Sequence, residues 1–160
     1  MTSIPVLLST GHRLFHALLM QARAAAQEAA WAEAQASLAE VARRLEAQMR
    51  AEETVLFPRL AGQGAEVDAM LAQCRREHGA LRSQVRVAIA AAEVRDRTAC
   101  GALLAHLIEA LSSHCRDEEQ RVYTLTRTMD EGVLGALARA LSAAGDDEGA
   151  PDTVGVPRLH

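Results

Sequence analysis

Residues Leu103–Tyr123, LLAHLIEALSSHCRDEEQRVY, carry the pattern that decides the fold. Leu103, Leu107, Leu111, His114, Glu118 and Val122 recur three or four residues apart, which is one face of a helix. The face is apolar for two turns. It then presents a histidine and, one turn on, a carboxylate. A carboxylate on a buried stripe is costly unless something positive meets it. No lysine shares this stripe, so a metal ion is the candidate partner. The remaining helices can be searched for further ligands.

Three more stripes emerge. Ser3 can cap a helix with Pro5 in its first turn. His12, Phe15, His16, Leu19, Ala22 and Ala26 then trace one face, so helix one is expected to about Ala26. A turn is placed near Gln27–Trp31 because bundle geometry wants one, although neither Gly nor Pro marks it. Trp31 is expected to pack across the bundle end. Helix two shows Leu38, Val41, Leu45, Gln48, Glu52, Val55 and Leu56, and is expected to stop at Phe57–Pro58. Helix three carries Val67, Met70, Leu71, Cys74, His78, Leu81, Val85, Ile89 and Ala92, with Arg82 near the bundle edge. Helix four is expected from Asp96–Arg97 to Leu125. A short fifth helix is expected at 131–143.

Composition agrees with an all-α chain. Of 160 residues, 49% are apolar and only 2% aromatic, with four prolines. Four amphipathic helices with mostly short joins predict an up-down-up-down four-helix bundle plus the short fifth helix. The expected domain is 1–144, followed by a polar, Gly- and Pro-containing tail at 145–160 that is expected to be mobile. Net charge is −4, without a separate basic cluster, which argues against nucleic acid as a partner. No apolar run reaches the ~18 residues of a membrane span. The N-terminus MTSIPVLLSTGHR has neither a charged leader nor a long apolar core. Cys74, Cys100 and Cys115 cannot all pair within the chain, so reduced thiols and a cytoplasmic setting are expected.

Each seam carries a polar break: His12 and His16, then Gln48 and Glu52, then His78, then His114 and Glu118. In antiparallel helices these breaks lie about one to two and a half turns from the same bundle end, so they can form one layer. The chain resembles the hemerythrin-like family, also called the HHE cation-binding domain. That pattern is a histidine on helix one, His-x-x-x-Glu on helix two, a histidine on helix three and His-x-x-x-Glu on helix four. Onto it map His12, Glu52 in AQMRAEETVLFP, His78 in REHGAL, and His114 with Glu118 in SSHCRDEEQRVY. The resemblance spans residues 5–125, and the EETVLFP corner is characteristic of it.

The resemblance implies a non-haem iron pair roughly 3.5–4 Å apart. Glu52 and Glu118 would bridge the ions, and His12, His78 and His114 would be terminal ligands. The same donor set suits manganese or zinc. It also implies a dioxygen- or nitric oxide-binding role, or iron handling under oxidative or nitrosative stress. Phe15, Leu19, Met49, Leu81 and Leu111 would wall the open position. Gln48 departs from the pattern by standing where the family has histidine. Either the second ion is lost or weak with Gln48 as a poor ligand, or water fills in, or His16 leans in as a substitute. Glu53, Asp117 and Glu119 are surface charges or partners of the ligand histidines. Cys115 is rotated about 100° from His114, and His106 is expected at the surface. No further acid on the seams is placed as base or proton donor, so no catalytic residue is assigned. Two other readings stay open: a di-iron oxidase or peroxide-consuming enzyme, and a metal-depleted interaction module.

Overall fold

A computed structural model describes residues 3–143, and the tail expected at 145–160 lies outside the described residues. The described residues form helices only: α1 (Ile4–Gln27), α2 (Trp31–Ala51), a π turn (Glu52–Leu56), α3 (Phe57–Leu60), α4 (Ala65–Glu93), α5 (Arg97–Asp117), a second π turn (Glu118–Val122), a 3₁₀ segment (Tyr123–Thr128) and α6 (Glu131–Ala143). α1 and α4 each pack on both α2 and α5, which closes a four-helix ring, and α6 lies against α2, the first π turn and α1.

The helix ends follow local chemistry. The Ser3 hydroxyl accepts from the Val6 amide and Asp96 accepts from the Ala99 amide, capping α1 and α5. α1 and α4 end alike. Ala29 (φ 59°) and Arg95 (φ 57°) turn left-handed, and the following amides reach back to Ala25 O and Ala91 O at 2.9 and 3.1 Å. This is the helix-ending turn that glycine usually serves, and its absence of glycine explains why the first join left no mark in the sequence. A non-glycine residue in this region is strained by about 1–2 kcal/mol, against about 0.5–1 kcal/mol of extra chain entropy for glycine. Ala29→Gly should therefore leave stability unchanged or raise it by up to about 1 kcal/mol, measured by denaturant unfolding; a loss would show that the corner is not strained.

Helices two and four run past their expected ends. In both, the chain widens to a π turn at a glutamate, Glu52 and Glu118, and the amides of Phe57 and Tyr123 bond back five residues to those glutamate carbonyls. The reset puts Pro58 in the first turn of a new helix, α3, where its missing N–H costs least. The chain therefore stays helical to Leu60 rather than stopping at Phe57–Pro58.

The core is divided. One cluster, with Phe15, Leu19, Leu38, Leu45, Met49, Leu81, Leu104 and Leu111, fills one end of the bundle. The other, with Leu8, Leu56, Phe57, Leu60, Leu71, Val122 and Leu137, fills the opposite end under α6. Trp31 packs partly buried on the first cluster, and His106 is exposed, both as expected. All three cysteines are free and buried. No described helix is long and apolar enough to cross a membrane.

Candidate metal centre

Buried polar residues lie in the bundle interior: His12, Gln48, Glu52, His78, His114 and Glu118 are each at most 7% exposed. Every long helix of the ring contributes at least one. Among the described residues two groups have ligand atoms within 4.8 Å of one another, His78–His114–Glu118 and His12–Glu52–Glu118. Glu118 belongs to both. Its Oε1 faces His78 Nε2 (3.3 Å) and His114 Nε2 (3.4 Å), while Oε2 faces His12 Nε2 at 3.4 Å. Glu52 divides too, with Oε2 toward His78 Nε2 (3.5 Å) and Oε1 accepting from Tyr123 Oη (2.6 Å), which itself lies 3.1 Å from His12 Nε2.

All three imidazoles are oriented from outside. His12 Nδ1 lies 2.9 Å from Glu119, His78 Nδ1 2.7 Å from Glu53, and His114 Nδ1 2.8 Å from Glu77. A carboxylate at Nδ1 accepts a hydrogen bond from the ring N–H there and so leaves the Nε2 lone pair aimed inward, which is how metal-ligating histidines are held. Arg82 extends one chain further, binding Glu53 and Glu46. Glu53 and Glu77 stay below the usual carboxylate range: partial burial would raise them, but hydrogen bonds from Arg82 and His78, and from His114, outweigh it. Asp117 is exposed. Glu77 went unnoticed in the sequence because it sits one residue before His78 and so off the seam of α4. Its position beside a ligand histidine was the available signal. Glu77→Ala should weaken metal binding about 10–100-fold, the usual loss for an outer carboxylate, with little change in unfolding. Chelator competition measures it, and an unchanged affinity would mean that His114 needs no orienting partner.

The electrostatics fit a cation. Three imidazoles and two acids meet in this layer, and the hydrogen bonds and ion pairs seen within it join only histidine, glutamate, tyrosine and glutamine. Burial and the charge of Glu118 push Glu52 above its ordinary range. Burial opposes charge on Glu118 too, but hydrogen bonds from His12 and His78 outweigh it and hold Glu118 low. Burial would lower His12 and His78; contacts with Cys115 and Glu118 lift the first, and Glu118 and Glu52 lift the second. Nitrogen and oxygen donors of this kind, without thiolate, fit iron, manganese or zinc.

Two of the sequence candidates turn no donor lone pair toward the layer. His16 is exposed and belongs to neither group. Gln48 is in the layer, but its amide nitrogen faces inward, donating to Leu8 O (3.3 Å), Glu52 Oε1 (3.2 Å) and Tyr123 Oη (3.3 Å). An amide N–H₂ has no lone pair to offer a metal. Besides Glu77, sequence reading passed over Tyr123, fully buried with its hydroxyl inside the second group. Cys115, off the seam by rotation, is nonetheless buried beside His12.

Next to the layer, a surface pocket of about 300 Å³ between α1 and α5 is lined by His12, His16, Leu19, Leu111 and Cys115. Phe15, Leu19, Met49, Leu81 and Leu111 are all buried in the adjoining core cluster.

A family model described as hemerythrin HHE cation binding domain matches residues 4–126. No curated protein and no solved structure matches. The matched span contains all the residues of the layer, from His12 to Tyr123, and covers most of the chain. The chain belongs to the hemerythrin HHE cation-binding domain family.

Proposed function

We propose that this protein holds two iron ions in the layer and uses them to bind or sense dioxygen, nitric oxide or a related small species, or to handle iron under oxidative or nitrosative stress. The observation that carries the reading is the division of both carboxylates. Glu118 offers one oxygen to each side of the layer, and Glu52 turns Oε2 to His78 and Oε1 to Tyr123 Oη beside His12. A bridging role uses a carboxylate in this way, and a lone buried acid has no need of it.

The residues divide the work. His78 and His114, with one oxygen from each glutamate, would hold the first ion; His12 and the other two oxygens would hold the second. Bound iron supplies an open coordination position and reversible electron transfer. Glu53, Glu77 and Glu119 keep the imidazoles in one tautomer. Leu19, Ile108 and Leu111 form the apolar part of the α1–α5 pocket, whose lining also includes Arg13, Arg116 and Glu119, and would favour the approach of a small neutral molecule to His12. Burial of both acids speaks against a metal-depleted interaction module, because two buried carboxylates without cations cost several kcal/mol.

The test is elemental analysis of protein reconstituted with Fe(II) without oxygen and then dialysed, followed by spectra before and after adding nitric oxide. The expected result is two irons per chain and a spectrum that changes with the gas. Iron no higher than in a protein lacking the layer would overturn the metal reading. Bound iron with no response to gas would overturn the ligand-binding role while leaving the metal in place.

A further inference from the structure

The two sides of the layer are built from corresponding parts, and the correspondence fails in one place. On the first side, His78 of α4 is preceded by Glu77, which orients His114 of α5. On the second, His12 of α1 is preceded by Gly11, and the residue four before Glu52 is Gln48 instead of histidine. The first π turn delivers Phe57, which stacks on His78 with ring centroids 5.8 Å apart. The second delivers Tyr123, which stacks on His12 at 5.5 Å. The second side has therefore lost an imidazole and its carboxylate and carries a phenol where its counterpart has a plain ring.

The substitutions interlock. A Cβ on Gly11 would lie 2.0 Å from Gln48 Oε1, so only glycine leaves room for that amide. With its oxygen turned to Gly11, Gln48 presents its nitrogen to Tyr123 and Glu52. The Tyr123 oxygen then lies 3.1 Å from His12 Nε2, 2.6 Å from Glu52 Oε1 and 3.2 Å from Glu118 Oε2. With metal–ligand bonds of about 2.1 Å, neighbouring ligands of an octahedral ion lie about 3 Å apart. The phenol oxygen already stands at that spacing from all three donors of the second group.

We infer that Tyr123 is a protein ligand of the second ion, supplying as phenolate the donor that Gln48 cannot. This rests on the two-ion reading above. As the metal–oxygen bond forms, the phenolic O–H bond breaks and the proton passes to solvent, with a water leaving the ion. Gln48 donates a hydrogen bond to the phenolate oxygen and holds it in place. His16, exposed on the outer side of α1, has no part in the second site.

The chain has one tyrosine, so any tyrosinate signal belongs to Tyr123. The experiment loads the wild-type protein with Fe(III), counts the iron, and records the visible spectrum with resonance Raman excitation into the band. The expected result is two irons, an intense phenolate-to-iron charge-transfer band and enhanced tyrosinate ring modes. Tyr123→Phe should lose the band and one of the two irons. Wild-type protein that retains iron without tyrosinate modes overturns this inference and leaves the metal centre standing. Wild-type protein that retains no iron overturns both. The decision rests on the wild-type spectrum, so it does not depend on how well the variant folds.

Discussion

Glu118→Ala should abolish binding at both of the proposed ion sites, lowering metal affinity by more than the roughly 100-fold upper range typical of losing an outer carboxylate. No other residue belongs to both groups of ligand atoms. Its two oxygens face His78 and His114 on one side and His12 on the other. Removing it strips a donor from each site together with the negative charge that offsets the cations. Glu118→Gln is the informative partner, being nearly isosteric but able to present oxygen to one side only and nitrogen to the other. It should retain at most one ion. Metal content after dialysis and chelator competition measure both variants. Metal content equal to wild type in Glu118→Ala would remove the bridge from the proposal.

Phe57→Ala should cost about 3–5 kcal/mol of folding stability, the usual loss for a large buried aromatic. Phe57 has no exposed surface. Its ring stacks on His78 and carries the Arg75 guanidinium 5.3 Å from its centroid. Beyond the cavity, the change frees one face of a candidate ligand, so metal affinity should fall as well. Leu104→Ala provides the contrast. Leu104 is equally buried but belongs to the other core cluster, and it should lose about 2–5 kcal/mol with metal affinity unchanged in the folded protein. Denaturant unfolding of the metal-free protein and chelator competition at low temperature separate the two effects. Equal metal affinity in the two variants would show that Phe57 does no more than fill space.

Helical periodicity was sufficient for the bundle. Stripes at three- and four-residue spacing identify the four long helices, and residues 131–143 form the short helix expected as the fifth, which is α6 because the extra turn α3 precedes it. The same stripes brought out His12, Glu52, His78, His114 and Glu118, because a polar residue on an otherwise apolar face is visible without coordinates. The structure gathers all five. Glu53 and Glu119 were left between two roles, and the structure assigns both to histidines.

What the sequence could not show traces to the two π turns. At about 100° per residue, residue 123 falls about 140° away from Glu118 on an unbroken α-helix, outside the seam. A π turn bonds residue i to i+5 and returns that residue to the same face. Such turns follow Glu52 and Glu118, and so Phe57 and Tyr123 come back over the layer. Nothing in the local spacing announces a widened turn. The orientation of Gln48 has a separate origin: its amide direction is set by the Leu8 carbonyl and the bare backbone of Gly11, some 40 residues away in the chain. Side-chain pattern alone thus determined which residues face inward along regular helices. Where the helices depart from regularity, and which atom a buried polar group turns toward the centre, depended on contacts between helices distant in sequence.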